Sequence, residues 1–533
     1  MDMPANAKMQ TISGKKYVFI DTPHWNAEKH RGEHKRRYIG KIVGGQFIPN
    51  GKYLLSLEKS GTVKPGPVPV TECKRQFYGA TYLLDQIGDK LGIVDDLKAS
   101  FPDKYKQLLS LVYFFVLEEG MSAYRFRKWA LTHKHPYGRD IPSQRISELM
   151  GSIDEASKMN FFRRQARRRA EKEVLVFDPT SISSYSELIK FAKYGKNKEG
   201  DHLPQINLVL LYGEVSRLPV YFRKLTGNTA HVSLIRNLML DIDFLDMKKL
   251  SFVMDRGFYS KKNINDLMKH HHKFLIGIRC GLKIARKHLD EVRGEKLISW
   301  ENYNDDACLY AMSFTDEWNY REEQPRTGRC ICDKRRVYVH VYFNDQRCTD
   351  ERLSFAKYLT CLQDELKSGK KAEGHLRDYD KYFVVSETPK KGLHIVPNGD
   401  AIREHQRDFG YFVLLSNGVK DPEEAIKPYR VRDLIEKAFA NLKERLDMRR
   451  MSISSSENFE GKLFVQFLVL IYLSYIKKQM DEKGPYKKYT MQTLLDDLDI
   501  IELYQQPGKA HHLSEITKKQ MALYDAMEVA IPK

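Results

Sequence analysis

Residues 173–184, EVLVFDPTSISS, decide the fold: an apolar run of strand character stops at Asp178, which Pro179 follows. The next segment, INLVLLYGEVSRLPVYFRKLTGN (206–228), reads as two strands joined by a short turn. A helical pattern, HVSLIRNLMLDIDFL (231–245), leads into a second buried strand, LSFVMDRGFYS (250–260), which stops at Asp255 shortly before Gly257. KKNINDLMKHHH (261–272) reads as helix and KFLIGIR (273–279) as strand. The order strand, hairpin, helix, strand, helix, strand makes a mixed α/β sheet the economical fold.

The chain has 533 residues and is 42 % hydrophobic, enough for several packed cores. Its formal charge of +19 points to a polyanionic partner, nucleic acid first. The longest apolar run, Leu463 to Ile476, is shorter than the roughly 20 residues a membrane span requires, so a buried core helix and no membrane partner are expected. MDMPANAKMQTISGKKY (1–17) lacks an apolar segment of signal-peptide kind, which predicts a cytoplasmic product. Seven scattered cysteines suggest reduced thiols, and Cys330-x-Cys332 is not a zinc spacing. His270, His271 and His272 would point different ways around a helix, as surface histidines do. No P-loop, GxGxxG or HExxH context is present, so no nucleotide cofactor is expected.

Six regions are expected. Residues 1–65 form a small β module, in which basic residues interleave with Trp25 and Tyr38; DNA contact and protection of strand edges both explain that pattern. Residues 66–172 form a helical DNA-binding region. Its last helix places Arg164, Arg167 and Arg168 on one face, suited to phosphates or simply to water. The sheet begins in 173–280, a charged β-rich insertion standing apart from it occupies 281–408, and the sheet resumes with a strand and a helix in 409–480. A helical region, 481–533, closes the chain.

The helix after the insertion carries Tyr429, Arg432, Glu436 and Lys443, whose offsets of 0, 3, 7 and 14 fall within about 60° of arc. A solvated charged face has the same pattern. Asp178 and Asp255, each ending an apolar strand, shift the balance. A strand end presents a carboxylate to a crevice while packing fixes its backbone. With Glu436 they make three carboxylates, suited to two hard divalent cations about 3.5–4 Å apart and to phosphoryl transfer on DNA.

VLVFDPTS, FVMDRGFYS and Tyr429-x2-Arg432-x3-Glu436-x6-Lys443 resemble the three catalytic blocks of the DDE transposases, in the bacterial insertion-sequence branch defined by that Tyr-Arg-Glu-Lys signature. The intervals are 255 − 178 = 77 and 436 − 255 = 181 residues. The resemblance covers about 173–480 and implies an RNase H-like core with a β-rich insertion before the last acid. It implies that Asp178, Asp255 and Glu436 bind two Mg²⁺ ions, with Mn²⁺ as a substitute. Tyr429, Arg432, Lys443 and Arg256 would grip double-stranded DNA at the transposon end. It further implies end cleavage, strand transfer into target DNA, a hairpin intermediate in some members, a base stacked on an insertion tryptophan (Trp300 and Trp318 are available) and a homodimer in the synaptic complex. A nuclease that cuts without joining, and a domesticated DNA-binding protein, are the alternative readings.

Overall fold

The computed structural model describes residues 3–533 except 5, 27–30, 60–73, 170–173, 185–192, 194–203, 227–234, 236–240, 242–249, 324–329, 389–391, 433–449, 452–455, 486–487 and 507–509. Two compact units emerge: residues 1–77 with 501–516 and 533, and residues 78–500 with 517–532.

In the first unit, β1 (Ala7–Ile12), β2 (Lys15–Asn26), β3 (Arg31–Val43) and β4 (Gln46–Pro49) form an antiparallel sheet in sequence order. Its buried face holds Val18, Ile39 and Phe47, joined by Tyr53 of helix α1 (Gly51–Lys59). Residues 51–59, which fall inside the expected small β module, are therefore helical. Asn50 explains the switch, since its Oδ1 accepts the Tyr53 amide at 2.8 Å and caps the helix. A second sheet joins β5 (Lys74–Phe77) to β18 (Glu502–Gln505) and β19 (His512–Leu513), so the 481–533 region is not purely helical.

The second unit is a mixed α/β structure around a ten-stranded sheet. Its strands are β6 (Leu175–Ser184), β7 (Gln205–Gly213), β8 (Pro219–Thr226), β9 (Ser251–Met254), β10 (Lys273–Ile278), β11 (Tyr303–Asn304), β12 (Leu309–Glu323), β13 (Cys330–Phe343), β16 (Tyr411–Ser416) and β17 (Arg450–Met451). The order is β11-β12-β13-β16-β10-β9-β6-β7-β8, with β17 pairing beside β6. Strands β6, β9 and β10 run parallel to their neighbours in this set, and β7 is buried along nearly its whole length, as covered sheets require. The segment 231–245, expected to be helical, lies outside the described residues apart from two positions.

Helices α2 (Gly79–Lys90), α3 (Ile93–Ser100), α4 (Tyr105–Leu117), α5 (Phe126–Thr132), α6 (Ser143–Gly151) and α7 (Glu155–Arg169) precede the sheet. They pack with one long helix, Ser456–Lys483, which touches α4, α6 and β8. Its most apolar window is long enough to cross a membrane yet 89 % buried within the protein, so it serves as a core helix. It extends well beyond the run Leu463 to Ile476. Tyr212 of β7 and Ser474 of this helix share a buried hydrogen bond at 3.0 Å, and Phe162, Phe222 and Phe467 interlock between the layers. At Gly461 the helix meets α6 so closely that a Cβ would lie 2.1 Å from the Met150 carbonyl oxygen.

Residues 281–408 do not stand apart from the sheet. The β12–β13 hairpin continues it, pairing with β16 from Tyr338 to Phe343. Beyond it come the helices Asp345–Ser368, Leu376–Tyr382 and Gly399–Gln406 and the small hairpin of β14 (Phe383–Thr388) and β15 (Gly392–Pro397), so the region is as helical as it is β. They share a core of Phe355, Leu362, Leu366, Tyr379, Tyr382 and Phe383. The three histidines also differ from expectation. The helix Lys261–Lys269 ends before them, and His272 is buried with its Nδ1 accepting the Leu250 amide at 3.2 Å. Cys330 and Cys332 are exposed free thiols, 3.7 Å apart.

Candidate active site

The site starts from two parallel ladders. Val176 and Phe177 of β6 stand opposite Val253 and Met254 of β9, so the next residue on each strand, Asp178 and Asp255, sits at the same level on neighbouring parallel strands. Pro179, with no N–H, follows at once, and the β6 edge resumes pairing only at Ser183 with Arg450 of β17. β9 ends at Met254, but β6, expected to stop at Asp178, continues to Ser184 in pairing with β7, so that only its ladder with β9 opens at Asp178. The opening between parallel strands forms a crevice for ligands. The backbone thus places both aspartates; the side chain of Asp178 lies outside the described residues, as do Glu436 and Lys443.

Asp255 also starts the short 3₁₀ turn Arg256–Phe258, which Phe258 anchors in the core. Its Oδ1 accepts the Arg256 amide at 2.7 Å and the Arg432 guanidinium at 2.7 Å. Among the described residues Oδ2 takes no hydrogen bond. Arg432, the last described residue of a helix that starts at 422, also donates to the Tyr429 hydroxyl at 3.1 Å and lies 4.9 Å from that ring's centre. Tyr429 is layered on Phe412 of β16, and Phe412 in turn stacks on Tyr342 of β13 at 4.8 Å. The sheet itself therefore sets the height of Tyr429 and, through it, of Arg432.

Gly277 of β10 completes the fit. A Cβ there would lie 2.8 Å from the Tyr429 hydroxyl and 3.1 Å from the Arg256 amide, so only glycine admits both. Gly277 was not among the residues expected from the sequence. Its signal was present, a lone glycine within the apolar strand KFLIGIR.

These residues edge a cavity of about 810 Å³. Asp255, Arg256, Tyr429 and Arg432 line one side, with Arg279 and Cys280 following β10; Arg347 and Glu351 of the helix Asp345–Ser368 stand on the other. Arg347 pairs with Glu351 at 2.9 Å and lies over Phe412, while burial pushes the Cys280 thiol up from its ordinary range. Arg256 and Arg279 are exposed within the cavity. Arg279 and Arg347 were not anticipated; Arg347 takes its place from Phe412, which is distant in sequence.

Arg164, Arg167 and Arg168 do not join this site. Helix α7 packs on α3 and β8, and β8 lies three strands along the sheet from β9. Arg164 and Arg167 are exposed, but Arg168 is committed to the buried Asp96, donating from Nε at 2.8 Å and from Nη2 at 2.9 Å. The expected three-arginine stripe is corrected accordingly. Of the two tryptophans in 281–408, Trp318 is packed, with its Nε1–H on Asn265 at 2.8 Å, while Trp300 is 83 % exposed.

A divalent cation suits this donor chemistry. Asp255 offers a hard carboxylate oxygen at the open ladder end, with Asp178 level beside it. Among the described residues no cluster of three His, Cys, Asp or Glu side chains occurs, so a complete ligand set needs residues beyond them.

Comparison with known proteins agrees with the sequence resemblance at the family level. The model of the transposase DDE domain matches residues 169–472. No curated protein sequence matches the chain. Among solved structures, the chain is similar to a piggyBac transposase in a synaptic complex with hairpin DNA, with 12 % identity, a TM-score of 0.34, and coverage of 78 % of this chain and 70 % of that one. This likeness is too loose to identify a shared fold. The domain model spans more than half of the 533 residues, and the chain belongs to the DDE transposases.

Proposed function

We propose that the cavity at the ends of β9 and β10 is the phosphoryl-transfer site of a transposase that binds the terminal inverted repeats of its element, cleaves there and joins the end to target DNA. The observation that carries this reading is the register of β6 and β9, which sets Asp178 level with Asp255, where Arg432 of the Tyr-x2-Arg-x3-Glu-x6-Lys signature is already bonded. The sheet would be the RNase H-like core of the insertion-sequence branch carrying that signature, in a bacterial cytoplasm.

Asp178, Asp255 and Glu436 would hold two divalent cations, Mg²⁺ or Mn²⁺. When bound, such ions activate an attacking hydroxyl and stabilise the leaving oxygen of a phosphodiester. Arg432 fixes Asp255 by one oxygen and leaves the other for a ligand. Arg256 and Arg279, exposed in the cavity, would meet phosphates, with Lys443 of the signature as a further phosphate contact. Trp300 is the exposed candidate for stacking a displaced base, in a complex of two protomers that holds two ends together.

The test uses a labelled duplex bearing the element's end, a plasmid target and Mg²⁺. Nicked end, any hairpin and joined product are separated on a denaturing gel. The wild-type chain is expected to nick and to join, and Asp178→Ala, Asp255→Ala and Glu436→Ala to do neither. Nicking without joined product would favour a nuclease; normal nicking by any of the three variants would remove that residue from the site.

A further inference from the structure

The β2–β3 pair of the first unit runs beyond the sheet it belongs to. β1 pairs with β2 only as far as Ile20, and β4 with β3 only from Gly40 onward. The six pairs from Asp21↔Arg36 to Asn26↔Arg31 therefore have only each other. They make a two-stranded ribbon of about 20 Å at 3.4 Å per residue. Its base is held by the Val18, Ile39, Phe47 and Tyr53 core.

Opposed residues share a face, and faces alternate along a strand. Arg36 and Trp25 fall on one face, Lys35 and Arg37 on the other. Lys35 and Arg37 are exposed, and among the described residues neither has a hydrogen-bond or ion-pair partner. Arg36 is steadied by Gln10 at 3.2 Å and by the Phe19 ring. Trp25 is 66 % exposed. The charge is concentrated here: in residues 1–59, 11 lysines and arginines face 5 aspartates and glutamates, leaving +6 of the chain's +19 in about a ninth of its length. Protection of strand edges accounts for the cations but not for a large indole left in water on the same ribbon.

We propose that this ribbon enters the major groove of duplex DNA as a contact separate from the cleavage site. The groove, about 12 Å wide, admits a two-stranded ribbon. Cations on both faces then reach the phosphates of both walls, and Trp25 meets apolar base edges or sugars. The inference rests on the proposed function only in taking DNA as the substrate.

The experiment measures binding of the full chain to a fluorescein-labelled duplex in EDTA, across a range of salt. The triple variant Lys35→Gln/Arg36→Gln/Arg37→Gln is expected to bind at least about 10-fold more weakly at ~0.1 M salt, with the log–log salt slope reduced by up to ~2.7. Lys35→Glu alone, at an exposed position with no hydrogen-bond or ion-pair partner among the described residues, should weaken binding in the same sense. Far-UV circular dichroism should match wild type for both. Unchanged duplex affinity and slope in these folded variants would overturn the proposal, and so would a loss confined to single-stranded DNA or anionic vesicles. Binding in EDTA and nicking in Mg²⁺ separate the two readings: if Asp255→Ala still nicked in Mg²⁺ while the ribbon variants lost binding in EDTA, the cleavage-site assignment would fail and the ribbon would stand.

Discussion

Two aspartate–arginine pairs in the second unit have the same chemistry and opposite character. Asp96, in the first turn of α3, is 1 % exposed and receives Arg168 through two bonds and Gln165 through a third at 2.7 Å. Both of its oxygens are used, and it ties α7 to α3. Asp255 is 39 % exposed and receives Arg432 and a backbone amide on one oxygen only. Saturation marks a group that builds the fold; an exposed carboxylate oxygen beside a cavity fits the ligand role proposed for Asp255. Asp85 gives a third arrangement. It is half-buried with no ion-pair partner among the described residues and accepts the Tyr113 hydroxyl at 2.7 Å, and desolvation pushes its carboxyl up to about 6.

The comparison breaks if the pairs respond alike to mutation. Asp255→Asn preserves size and one acceptor, and is expected to lower Mg²⁺-dependent nicking by more than about 10³-fold while the urea midpoint stays at its wild-type value. Arg168→Ala should do the reverse, costing about 3 kcal/mol in urea unfolding because Asp96 is left charged and buried, with nicking per folded molecule retained. Gly277→Ala should cost about 2 kcal/mol by crowding and also reduce nicking, since the atom it meets is the Tyr429 hydroxyl that orients Arg432. The smallest effect concerns Asp85. Its folded pKa lies above the ordinary 3.8, so its contribution is most favourable below about pH 4 and is lost as pH rises through about 6. Asp85→Asn should flatten that fall in a series of urea melts and stabilise the protein by about 1 kcal/mol at pH 7.

These contrasts follow what was legible in the sequence. Strands β6, β7, β8, β9 and β10 announced themselves because each is a compact apolar run ended by a polar or turn-forming residue, and a buried strand needs nothing else. Asp178 and Asp255 stood out because each closes an apolar run, although β6 itself continues past Asp178 to Ser184. The place of the β12–β13 hairpin in the sheet was not legible, because the outer half of β13 is exposed and pairs with β12 alone, and only Tyr338 to Phe343 also pairs with β16. Its charged composition describes the projecting part and hides the rest. Arg168 misled because helical spacing assigns a face but not the partner on it, and Asp96 lies 72 residues away. Gly277 and Arg347 needed the fold itself, as each acquires its role from a helix or strand brought in from another part of the chain.

The central claim is that Asp255 keeps an oxygen for a metal ion at the point where DNA is cut. Electron paramagnetic resonance of Mn²⁺, titrated into the full chain with a duplex bearing the element's end, tests it without relying on turnover. The wild-type chain is expected to withdraw Mn²⁺ from solution, and Asp255→Asn to bind it at least about 10-fold more weakly while binding the duplex in EDTA as before. Equal Mn²⁺ binding by the two proteins would contradict the account.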